Sequence, residues 1–167
     1  QKAKFIAPED WANDVSRRNL ITFRINSADK VLMSTDRSIR VNEHYICDID
    51  DFDVKRLKEM IANPERKETL PETEMKDITM PDGSVRQFEV SKAMVSYGID
   101  RGTSYTAYTK GMEMIMTAYK ELREDFSKEV FGKPLAELTD TEMQTVYLAI
   151  PLIVSETTPK AVPQKDN

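Results

Sequence analysis

The chain has 167 residues (19.2 kDa), 40% of them hydrophobic and 32% charged, the size of one domain with room for a substantial core. Its 24 Lys and Arg against 29 Asp and Glu give a formal charge of −5 and no basic block that could track a phosphate backbone, which disfavours nucleic-acid binding. The single cysteine, Cys47, excludes an internal disulfide, Cys47 and the single His44 are too few soft ligands for an ordinary zinc site, and the longest uncharged run, the 13 residues Met143 to Ser155, falls short of the roughly 20 that span a bilayer.

Residues 1–18 mix charge with Pro8 and Trp11 and read as an entering arm, with Trp11 able to dock it. The absence of an initiator methionine at Gln1 raises the expectation of a segment upstream. Alternation then predicts a half-buried antiparallel strand with Ile21, Phe23 and Ile25 on its core face. Turn residues Asn26 to Asp29 lead to a second strand over Lys30 to Ser34. A third is expected with Ile39, Val41 and Tyr45 on one face and Arg40, Asn42 and His44 on the other.

Aspartates from Asp48 to Asp53 suit the N-terminus of a helix carrying Val54, Leu57 and Ile61 and ended by Asn63-Pro64. A calcium loop in the same run would want an oxygen ligand where Phe52 stands and glycine at Asp53, so capping is the better account. Pro64 to Glu74 reads as a polar loop, and Ile78, Met80, Pro81-Asp82-Gly83, Val85 and Phe88 as a small inserted hairpin. Lys92 to Asp100, apolar or small on both faces, reads as a central strand.

Thr103 or Ser104 can cap a helix of about 40 Å whose apolar stripe runs Tyr105, Tyr108, Met112, Ile115, Met116, Tyr119, Leu122, Phe126 and Val130, stopped by Gly132-Lys133-Pro134. Met114 and Ala118 lie off that stripe and, if exposed, would broaden it into an interaction patch. Thr139 and Glu142 have capping-box spacing before a helix that Pro151 ends. Leu152-Ile153-Val154 can then add a final strand ahead of a polar tail, 157–167, expected to be mobile. Strands and helices in this order predict an α+β two-layer sandwich, helices packed on one face of a mixed β-sheet.

The five glycines form no phosphate-binding loop. No serine has a nucleophile motif around it, and His44 and Cys47, three residues apart in an extended segment, point to opposite faces. Asp100, at a strand end before Arg101-Gly102-Thr103, invites a general-base reading; the alternative is that Asp100 and Arg101 stabilise the turn, Gly102 supplying a permissive conformation.

The stretch Met94-Val95-Ser96-Tyr97-Gly98-Ile99-Asp100-Arg101-Gly102-Thr103-Ser104-Tyr105 resembles the periplasmic domain of ExbD and TolR proteins. Tyr119 to Glu124, Phe131 to Pro134, Glu137 to Thr139 and Ile153 to Lys160 resemble the longer ExbD-like proteins of Bacteroidetes-type bacteria, and Arg18 to Thr22 and the helix around Leu57 fit the same pattern. The resemblance implies a periplasmic domain over residues 19–156, with an insertion at 64–89 and an extra helix near 140–150, on a single-pass inner-membrane protein. It further implies a non-enzymatic subunit of a motor of the TonB or Tol type driven by proton motive force, without cofactor or metal. Its implied partners are an ExbB- or TolQ-like membrane subunit reached through an N-terminal helix, a TonB- or TolA-like protein, a second copy in a homodimer, and peptidoglycan in TolR-like members. The family's proton-carrying aspartate lies in that helix, so Asp100 does not inherit its role. Leu152, Ile153 and Val154 are the expected partner-binding residues, by strand addition at an open sheet edge. The competing expectations are a free-standing periplasmic binding or adaptor module and a small enzyme built on Asp100.

Overall fold

The computed structural model describes residues 17–157, so the expectations for Trp11, for most of the arm and for all but the first residue of the tail lie outside the described residues. Alternation builds the first two strands as expected: β1 (Leu20–Ile25) and β2 (Lys30–Thr35) pair antiparallel, burying Ile21, Phe23, Ile25, Val31 and Met33 on one face. The expected third strand is displaced. Asp36–Arg40 forms a short helix, α1, because Thr35 and Ser38 make a reciprocal capping box: Ser38 N–H donates to Thr35 Oγ1 (3.0 Å) and Thr35 N–H to Ser38 Oγ (2.8 Å). These local bonds override the alternation of Ile39 and Val41, which are 55% and 54% exposed, and strand β3 starts only at Tyr45 (Tyr45–Asp48).

Helix α2 (Val54–Ala62) follows a 3-10 turn at Ile49–Asp51, with Asp53 accepting Lys55 N–H as its N-cap. Asn63 closes it in the left-handed region at φ 44°. The buried Asn63 amide donates to the carbonyls of Lys67 (3.0 Å) and Pro71 (2.8 Å), and its oxygen accepts Lys67 N–H (2.8 Å), so this one side chain shapes the polar loop. The inserted hairpin is longer than its apolar residues suggested: β4 (Thr73–Thr79) and β5 (Val85–Ser91) form a separate two-stranded sheet with a small core of Ile78, Val90 and Ala149.

Strand β6 (Met94–Ile99) lies parallel to β1 and to the terminal strand β7 (Val154–Thr157), giving a mixed five-stranded sheet of order β3-β2-β1-β6-β7. The fold is thus α+β, with helices packed on a mixed sheet. Between β6 and β7 the chain makes α3 (Tyr105–Phe131), capped by Ser104, and α4 (Asp140–Ala149), started by the Thr139–Glu142 capping box.

The long helix turns a different face to the sheet than its tyrosines and methionines suggested. Its buried positions include Ala107, Gly111, Ile115, Ala118 and Tyr119, while Tyr105 is exposed and Tyr108, Met112 and Met116 flank the seam. Ala118 is therefore core, with Met114 packed at its edge, and the two do not form an exposed patch. Small residues at the centre let the helix axis come close to the strands. Gly111 sits directly over the Tyr97 hydroxyl, which donates to Tyr108 O (2.6 Å).

Arg123 is buried on the same helix, although no apolar pattern marks it. Its Nε and Nη2 donate to Ile150 O (3.0 and 2.8 Å) and its guanidinium lies 4.9 Å from the Tyr147 ring centre. It so satisfies the carbonyl at the C-terminus of α4, where a positive charge also meets the helix dipole. Burial pulls its pKa below the ordinary arginine value, without threatening the charge at neutral pH. Arg123→Met keeps the length and removes the donors; we expect a loss of about 2 kcal/mol in urea unfolding, with Arg123→Lys recovering only part, because an ammonium cannot reproduce the planar fork.

Candidate functional site

The residues singled out by the sequence converge on the β6–α3 junction and the strand beside it. Backbone bonds fix the junction: Asp100 N–H donates to Ile25 O (2.9 Å), Thr103 N–H to Asp100 O (3.1 Å) and Thr103 Oγ1 to Ile25 O (3.2 Å). Gly102, at φ 86°, supplies the left-handed turn. The Asp100 carboxylate is held by Arg24, whose Nε donates at 3.2 Å and whose Nη2 lies closer still. The Arg24 guanidinium passes over Gly98, its Nη1 3.3 Å from where a Cβ would stand. The Asp100 carboxylate thus ties the end of β6 to β1, and within the turn itself only its backbone carbonyl takes part, accepting from Thr103.

The other candidates lie apart. His44 is exposed, ahead of β3 rather than within it, on the rim of a cleft of about 290 Å³ that Tyr45 and Arg56 also line, and Cys47 is half-buried in β3. Asp48 pairs with Lys30 across the β2–β3 ladder (2.5 Å), Asp50 lies 3.8 Å from Lys110, and Asp53 is the member that caps a helix. Among the described residues no group of three or more His, Cys, Asp or Glu is placed to hold a metal ion.

The terminal strand is shifted from the run that predicted it. Leu152 and Val154 are buried and Ile153 is half-buried; the strand proper is Val154–Thr157. Val95 N–H donates to Ile153 O (2.9 Å), and Val95 lies opposite Val154. In a parallel ladder this alternation turns the backbone groups of 153, 155 and 157 toward β6 and those of Val154 and Glu156 outward. No described strand pairs with that outer edge. Of that outer edge only Glu156 is open to solvent, since Val154 and Ser155 are buried, and the side chains of Leu152 and Val154 belong to the core.

Side chains hold this edge strand down. Tyr108 Oη donates to Glu156 Oε1 (2.6 Å), Thr157 Oγ1 donates to Tyr97 O (3.3 Å), and the Tyr97 and Tyr108 rings stack with centres 5.5 Å apart. The hydrogen bond to the Glu156 carboxylate, with partial burial, pushes the Tyr108 phenol up to about 12. Gly98 faces Thr157 across the ladder, and a Cβ there would collide with the threonine hydroxyl. The sequence motif thus encodes a strand, its partner and the helix start that secures both.

In comparisons with known proteins, no family model, no curated protein and no solved structure matches the chain. No helix among the described residues is long and apolar enough to cross a membrane.

Proposed function

We propose that this chain is the extracytoplasmic interaction domain of an ExbD- or TolR-like subunit in an energy-transduction complex of the TonB or Tol type. It works by binding, without chemistry of its own, and pairs with a second copy or with a TonB- or TolA-like protein. An upstream membrane helix would join it to an ExbB- or TolQ-like ring, placing the domain in the periplasm. The observation that carries the reading is the outer edge of β7, which no described strand pairs and which is open to solvent at Glu156, beside the β6–turn–α3 stretch that carries the resemblance. The engagement of Asp100 by Arg24 favours an interaction module over an enzyme built on that carboxylate.

Proline at position 153 would sit within the β6 ladder, where Ile153 O accepts Val95 N–H, so a cleaner probe is Glu156→Pro, whose lost N–H points outward. Because Glu156 also accepts from Tyr108, Glu156→Gln is its control. In sedimentation equilibrium and in capture of the TonB- or TolA-like protein encoded with it, Glu156→Pro should weaken association about tenfold or more, with helical circular dichroism retained and Glu156→Gln near wild type. Unchanged association in a folded Glu156→Pro protein would refute edge pairing. The reading frame upstream of Gln1 should encode an apolar span of about 20 residues with one acidic residue. A cleavable signal there would instead favour a free-standing adaptor.

A further inference from the structure

The chain is acidic overall, yet four arginines meet at one concavity. Arg17 and Arg18, just ahead of β1, and Arg37 and Arg40, on α1, line a pocket of about 270 Å³ with Asp36 as its acidic member. Nearby carboxylates hold three of these arginines, Arg18, Arg37 and Arg40, loosely. Arg40 pairs with Asp36 at 2.8 Å, Arg37 reaches the Glu68 carboxylate and carbonyl at 3.4 Å, and Arg18 lies 3.6 Å from Glu72. Glu68 is 86% exposed along its side chain, and exposed pairs of this kind contribute about 1 kcal/mol or less.

Arg18 supplies a second, independent observation. Its Nε is buried and has no hydrogen-bond acceptor. A desolvated donor of this sort costs about 1–3 kcal/mol unless an acceptor reaches it. Guanidinium forks match the oxygens of a phosphate two at a time, and several converging forks exceed what one planar carboxylate can use.

We infer that the pocket formed by Arg17, Arg18, Arg37 and Arg40 binds a phosphate group, carried by an anionic lipid headgroup or by a free phosphate compound. The inference goes beyond the function proposed above and does not depend on it. Asp36 sets the sign of the test, because removing its charge strengthens an anion site while leaving every arginine in place.

Two probes separate the sources: sodium pyrophosphate followed by titration calorimetry, and co-sedimentation with vesicles of phosphatidylcholine with and without phosphatidylglycerol. Pyrophosphate should bind the wild-type chain with a Kd of about 1 mM or tighter. The double variant Arg37→Gln/Arg40→Gln should weaken it about tenfold or more, Asp36→Asn should tighten it about threefold, and Lys128→Gln, outside the pocket, should leave it unchanged. Sedimentation with phosphatidylglycerol vesicles alone, lost in the double variant, would assign the phosphate to a lipid; pyrophosphate binding without vesicle binding would assign it to a free compound. Binding of neither probe overturns the inference. So does binding that the double variant leaves unchanged while its circular dichroism matches wild type.

Discussion

Replacing Gly111 by alanine should destabilise the protein by about 2 kcal/mol, although the same change in an exposed helix interior stabilises by about 1 kcal/mol. A Cβ at this position would stand 2.5 Å from Ile25 Cδ1 and 2.8 Å from Tyr97 Cζ, and nearer still to the phenolic oxygen. Neither neighbour can give way cheaply. Ile25 is fully buried in β1, and Tyr97 is fixed by its edge contact with Phe23, its stack on Tyr108 and its bond to Tyr108 O. Overpacking of this kind costs about 1–3 kcal/mol and occasionally more, enough to outweigh the propensity gain. A double-mutant cycle tests the cause. Tyr97→Phe alone should cost about 1 kcal/mol for the lost hydrogen bond, and in that background Gly111→Ala should cost about 1 kcal/mol less, because the phenolic oxygen is gone while Ile25 remains. Urea midpoints at constant m-value measure all four corners, and additive costs would show that the Gly111 contact is not what sets the helix against the sheet.

Asn63→Ala should cost about 3–4 kcal/mol, more than its position in a polar loop suggests. Three hydrogen bonds to the Lys67 and Pro71 backbone are lost, each contributing about 1 kcal/mol, and alanine pays about 1 kcal/mol more to hold the left-handed conformation at φ 44°. Asn63→Gly removes the same bonds without that strain and should be the milder variant by about 1 kcal/mol. If the two prove equal, the backbone conformation contributes nothing and the side-chain bonds alone organise the 63–71 loop.

These positions show what local pattern does and does not reveal. Asn63-Pro64 is legible as a helix stop because the signal lies within two residues, and so are the Asp53, Ser104 and Thr139 caps. That Asn63 also reaches Pro71 is not legible, since the loop's path depends on the hairpin it feeds. The third strand starts later than its alternation suggests because two signals compete over the same residues: the alternation of Ile39 and Val41 against a Thr35–Ser38 capping box that forms four residues of local structure before any strand partner is met. On α3 the apolar stripe locates Ile115 and Tyr119 in the core but not Ala107, Gly111 and Ala118 beside them, because the closeness of helix to strand is fixed by Tyr97 and Ile25 from elsewhere in the chain.

The candidate edge follows the same division. A β-branched run after Pro151 announces a strand, but only pairing with β6 decides that Leu152 and Val154 point into the core while Glu156 carries an outward backbone group. Arg123 and the arginine pocket had no signal in the sequence at all. Each joins residues about 20 or more positions apart, and a charged side chain in an otherwise ordinary helix or loop looks solvated until the opposing carbonyl or neighbouring guanidinium is in place. By itself the sequence determined the order of the elements apart from α1, most of their ends and the α+β layering, because hydrophobic period and capping chemistry act within a few residues. The tertiary structure alone decided the sheet order, the face that α3 buries, the outward atoms of β7 and the convergence of the arginines, because each depends on contacts between segments whose separation along the chain carries no periodic signal.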